Sequence, residues 1–125
     1  MSAELDLISA LNPHLNDGAY VFTLVTNINE IPRGLAIMEF QEEEGTTLII
    51  TKEKADHLGL AYDYVSSWIT LKSQTALDAI GITAAFARIL ADHQISCNVV
   101  AGYHHDHIFI PYEHRLRAIK LLTKE

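Results

Sequence analysis

Residues 95–111, ISCNVVAGYHHDHIFIP, constrain the fold of this chain more than any other stretch. An alternating apolar run meets a Gly102-Tyr103 turn, three histidines surround Asp106, and a second apolar run stops at Pro111. Two structures fit that pattern: a β-hairpin with a ligand-contacting aspartate at its tip, or a histidine-rich metal site. In an extended chain His105 and His107 share one face, while His104 and Asp106 point the other way. Two imidazoles fall short of the ligand set that zinc needs, and His14, His57, His93 and His114 stand at no recognisable metal spacing. The hairpin is the preferred reading, with no metal and no cofactor expected.

The hairpin sits in a longer pattern. Residues 67–73 read as a strand, and residues 78–93 as a helix with Ile82, Ala85, Phe86, Ile89 and Leu90 on one core-facing stripe. Residues 95–103 and 107–110 are the hairpin strands. Residues 113–123 form a last helix with Leu116, Ala118, Ile119 and Leu122 inward. The second half is therefore β-α-β-β-α.

The first half is an imperfect echo, α-β-β-β-α. Leu5, Ile8 and Leu11 give residues 3–11 helical spacing, and Asn12-Pro13 stops them. Strands follow over 19–26, 35–42 and 46–51, with a loop over 27–34 and a turn at Glu43-Glu44-Gly45. Thr51 caps a short helix over 52–58, and Gly59 lies just past its end. A polar-aromatic connection, 61–66, joins the halves. A split β-α-β unit, a hairpin and a covering helix make the ferredoxin-like plan, an α+β fold whose antiparallel sheet has helices packed on one face. Two such lobes, 1–62 and 63–125, are expected to share strands in one body.

Charge removes several functions. The net charge is −7, and nine basic residues are scattered singly. A nucleic-acid binder needs a basic stripe to displace counterions from phosphates, and an anionic membrane surface makes the same demand. Neither partner is expected. No apolar run approaches bilayer length, the first fifteen residues lack a signal-peptide pattern, and one cysteine cannot form an internal disulfide, so the cytoplasm is the expected compartment. Cys97 alternates with Ile95, Val99 and Ala101 and has no basic neighbour in sequence, which describes a buried, inert thiol. No nucleophile elbow, phosphate loop or HExxH motif is present, so no catalysis is expected.

The run DAIGITAAFARILADHQISCNVVAGYHHDHIFIP, residues 78–111, and the segment EEGTTLIITKEKADHLGL, residues 43–60, resemble a bacterial family of stand-alone proteins built from two tandem ACT-like domains. The second half alone, 65–125, resembles a single ACT domain. The resemblance implies a side-by-side arrangement like the regulatory tail of aspartate kinases, with effector amino acids where lobes or subunits meet. It also implies a homo-oligomer, by default a homodimer. In outline the chain is similar to a eukaryotic cytosolic arginine sensor made only of ACT domains.

A small-molecule sensor of this type needs a site, and the best candidate is the start of the 78–93 helix. Free N–H groups there favour an anion such as an amino-acid carboxylate, and Gly81 permits close backbone approach. The segment is Asp78, Ala79, Ile80, Gly81 and Ile82. Across from it Gly102, Tyr103 and Asp106 would meet the other end of the ligand, Asp106 as an anion and Tyr103 as an aromatic wall. The resemblance supports carrying over Gly81, Tyr103 and Asp106, and nothing in the first lobe. Asn98 points away from the helices if Cys97 points toward them, and could bond a ligand or a partner subunit. Thr75 and Asp78 also fit plain helix capping, worth about 0.3–1 kcal/mol without any ligand. The expected function is thus an amino-acid-binding regulatory protein. The alternatives are an oligomerisation or partner-docking module and, behind it, a metal-binding protein using the histidine cluster.

Overall fold

The computed structural model describes residues 10, 12–73 and 80–123. Strands β1 (Pro13–Leu15), β2 (Tyr20–Val25), β3 (Met38–Gln41) and β4 (Thr46–Thr51) are followed by helix α1 (Lys52–Leu58) and strand β5 (Val65–Leu71). Helix α2 (Ile82–Asp92), strands β6 (Asn98–Ala101) and β7 (Asp106–Pro111) and helix α3 (Arg115–Thr123) complete the order. Short 3-10 turns occupy Ile28–Glu30 and Tyr112–His114. The expected helix over 3–11 lies almost wholly outside the described residues.

Packing divides the chain into two compact units. Gly18–Ser66 is contiguous; the other unit joins the described residues of Met1–Asp17 to those of Ser67–Glu125.

In the contiguous unit, β4 is the middle strand, antiparallel to both neighbours. Its register runs from Tyr20↔Thr51 to Val25↔Thr46 on one side and from Met38↔Ile49 to Gln41↔Thr46 on the other. Side chains alternate across such a sheet. Val21, Thr23, Leu48 and Ile50 therefore share one face, and Phe22, Leu24, Thr47, Ile49 and Phe40 the other. Val21 and Ile50 bury against Ala55 of α1, with Leu35, Leu60, Tyr62 and Val65 around them. The helix is set by its ends: the Thr51 hydroxyl accepts from the Lys54 amide at 3.3 Å, and Gly59 turns left-handed at φ 69. The start of β5 closes the unit, with Val65 and Ser66 opposite Val21 and Tyr20.

The interleaved unit is built around the rest of β5. Its neighbours are β7, which continues to β6, and on the other side β1, paired from Pro13↔Leu71 to Leu15↔Ile69. The contacts Trp68–Phe109 and Thr70–His107 step in opposite directions along β5 and β7, so these strands are antiparallel. Ile69 and Leu71 of β5 and Ile108 and Ile110 of β7 face the helices, where they enclose Ala85, Phe86 and Leu90 of α2 and Ala118 and Leu122 of α3. The order is β-α-β-β-α, and the N-terminal β1 supplies the sixth element.

Three expectations need correction. Helix α2 starts at Ile82, because Gly81 at φ 88 cannot continue a right-handed helix back toward residue 78. Leu116 is 61% exposed, since Ala118, Ile119 and Leu122 define the inward face and Leu116 falls to its side. The strands expected over 35–42 and 95–103 shorten to β3 and β6.

Candidate functional site

The 95–111 stretch is a hairpin. Its strands pair from Asn98↔Phe109 to Ala101↔Asp106, and the Gly102 amide donates to the His105 carbonyl at 2.8 Å across the turn. Leu71 ends β5 and Asp106 begins the antiparallel β7, so this turn lies at the end of the sheet where β5 finishes. From there the chain passes into α2, which leads back toward Asn98 at the opposite end. The first turn of α2 and the 102–105 turn thus belong to the same end of this unit.

The sequence-chosen residues fall into three groups and one residue apart. Asp78 and Ala79 lie outside the described residues. Ile80 (96% exposed), Gly81 and Ile82 form the entry to α2, where no side chain caps the helix among the described residues. Gly102, Tyr103 and Asp106 form the hairpin tip, with Tyr103 81% exposed and its ring edge-on to His104 at 4.8 Å. Among the described residues the Asp106 carboxylate has no hydrogen-bond partner. Asn98 stands apart: it pairs with Phe109, whereas Asp106 alternates with Ile108 and Ile110, so the two side chains take opposite faces of the hairpin.

The histidines of the tip divide the same way. His107 points to the face opposite the helices, where its Nδ1 accepts from the Trp68 indole at 3.0 Å and lies 3.2 Å from the Thr70 hydroxyl. Asn16 donates to that hydroxyl at 2.9 Å, which frees the Thr70 proton for His107. An indole N–H is a donor only, so His107 must be neutral with its proton on Nε2. Burial lowers its pKa below the usual 6.5, His105 adds to the effect, and Asp106 opposes it. His105 keeps a buried Nδ1 that has no partner among the described residues. No group of three or more described His, Cys, Asp or Glu side chains is placed to hold a metal ion. Burial also pushes the Cys97 thiol up to about 12, which leaves it protonated and unreactive at neutral pH.

The neutral His107 has a consequence for stability. A depressed histidine pKa means that the unfolded chain takes up the proton first as pH falls below 6.5. Stability should be level above that value and decline below it, until the folded-state pKa is reached. Urea unfolding at a series of pH values should show this decline. In His107→Gln, whose side-chain oxygen still accepts from Trp68, it should be shallower; parallel profiles would remove His107 as its source.

Models of the ACT domain match residues 4–67 and 64–124. The chain belongs to the ACT-domain family, with two such domains in tandem. It is similar, at 43% identity and a TM-score of 0.84, to a Vibrio cholerae protein of unknown function described as a possible transport protein; the match covers 95% of this chain and 92% of that one. The fold also matches the ligand-free regulatory subunit of aspartate kinase from Thermus thermophilus, at 14% identity and TM-score 0.61 over 90% of this chain and 94% of that one. A putative C-terminal regulatory domain of aspartate kinase from Porphyromonas gingivalis matches at 15% identity and TM-score 0.58, with the same coverages. No curated protein matches the chain. Among the described residues, no helix is long and apolar enough to cross a membrane.

Proposed function

We propose that this protein is a non-catalytic sensor of a small amino acid or related metabolite, working through two tandem ACT lobes, 1–62 and 63–125, as a cytoplasmic homodimer. ACT domains are regulatory modules, which supports the class. The observation that carries the site is the entry to α2, uncapped among the described residues, at the same sheet end as an Asp106 carboxylate that has no hydrogen-bond partner among them. The amides that open α2 suit a carboxylate, and Asp106 suits an ammonium group, so a zwitterion fits both. Tyr103 offers an exposed aromatic wall beside them. Binding regulates only if the ligand prefers one arrangement of lobes or subunits.

Thermal unfolding in the presence of each common amino acid tests this. A ligand at one hundred times its dissociation constant should stabilise by about 2.7 kcal/mol. Asp106→Asn should abolish that gain without lowering the melting temperature of the free protein. No shift with any amino acid would rule out an amino-acid ligand.

One observation favours a docking module as second reading. Phe40 and Leu24, 63% and 50% exposed, flank Thr47 on one rung of the contiguous unit's sheet. An apolar rung of that kind suits a protein partner.

A further inference from the structure

The contiguous unit carries a cleft that the amino-acid site does not use. It has a volume of about 710 Å³, within the roughly 300–1,000 Å³ typical of small-molecule sites. It is open to solvent, and its apolar and aromatic lining, Phe22 and Leu24 from β2 and Leu60 and Tyr62 from the segment after α1, is interrupted by Thr23 and Thr47. Glu42 and Asp63 also line it, and no Lys, Arg or His does so among the described residues.

The walls are held in place. The Thr23 hydroxyl donates to the Ala61 carbonyl at 2.6 Å, which ties the 60–63 segment to β2. The Tyr62 hydroxyl donates to Asp56 at 2.6 Å, and Asp56 also binds Lys52 at 2.9 Å. That trio fixes the Tyr62 ring and occupies the nearby cation. The two lining carboxylates remain available. Glu42 accepts from the Thr47 hydroxyl through one oxygen, and its other oxygen has no partner among the described residues. Asp63 makes no hydrogen bond or ion pair among the described residues.

We propose that this cleft binds an α,ω-diaminoalkane, with its alkyl chain along Phe22, Leu24 and Leu60 and its ammonium groups on Glu42 and Asp63. A metal ion would leave the apolar walls without a role. A carboxylate ligand would meet two negative charges and no positive one. A flexible dication with an apolar middle matches both the charge and the surface, since ammonium–carboxylate hydrogen bonds are among the stronger ones available.

Calorimetric titration of the full chain with 1,5-diaminopentane tests the assignment, with 1-aminopentane and pentanoate as comparison ligands. Saturable one-site binding of the diamine is expected, weaker binding of the monoamine, and none of pentanoate. Glu42→Gln, which keeps the acceptor for Thr47, and Asp63→Asn, at an exposed position, should each weaken the diamine by roughly tenfold or more. Added salt should weaken it further. Asp106→Asn should leave diamine binding unchanged, which separates this site from the proposed amino-acid site. No saturable binding, equal binding of pentanoate, or full affinity in both carboxylate variants would overturn the assignment.

Discussion

Phe86→Ala should lower the stability of the interleaved unit by about 3–5 kcal/mol, one of the two largest effects expected from a single substitution here. The ring is fully buried on the inner face of α2, where the same core holds Ile69, Leu71, Leu90, Ile108, Ile110, Ala118 and Leu122. Removing it deletes apolar burial and leaves a cavity that strands on one side and helices on the other cannot close together. Such a loss is a large share of the roughly 5–15 kcal/mol that keeps an ordinary domain folded. Thr83→Ala, on the exposed side of the same helix, should stay within about 0.5 kcal/mol. Urea unfolding of the two variants provides the comparison. A Phe86→Ala loss no bigger than that of Thr83→Ala would mean that this core is not packed as described.

Gly45→Ala should be nearly as damaging, for a different reason. Gly45 closes the β3–β4 turn at φ 155, and a methyl group there would come within 2.6 Å of the Val25 carbonyl oxygen. That oxygen belongs to the backbone of β2, in a ladder where Val25 opposes Thr46, so it cannot move aside without breaking the pairing. Overpacking of this kind costs about 1–3 kcal/mol, and a non-glycine residue held at positive φ adds about 1–3 kcal/mol more. Gly59 supplies the control: it has φ 69, and nothing lies within 4 Å of an added methyl. Gly59→Ala should show the conformational cost alone. Equal losses at the two positions would show that the Val25 contact has no weight.

Local chemistry was readable from the sequence, and distant pairing was not. Thr51 and Gly59 bound α1 at the positions expected, because a cap and a left-handed stop depend only on neighbouring residues. The stripe of Ile82, Ala85, Phe86, Ile89 and Leu90 meets the core because helical spacing alone selects that face. Pro13, in contrast, reads only as the stop of the 3–11 helix, and no strand is expected over 13–15. Three residues that include a proline carry no strand signal, and β1 exists because β5 is there to pair with. At the candidate site, periodicity showed that Asn98 and Cys97 part company, but not that Asp106 turns to the opposite face from Asn98. That depends on where the hairpin turn falls. Glu42 reads as part of a solvated acidic tip with Glu43 and Glu44. Its place in a cleft that Asp63 also lines depends on the return of the chain after α1, which has no local signature.

The strand Pro13–Leu15 also bears on how the protein comes off the ribosome. Asn16 must wait for Thr70, 54 positions later, before its hydrogen bond can form, while β2, β3 and β4 find their partners in one another within the continuous stretch 18–66. Nascent chain should therefore finish its middle before its beginning, and the first strand made should be among the last to dock.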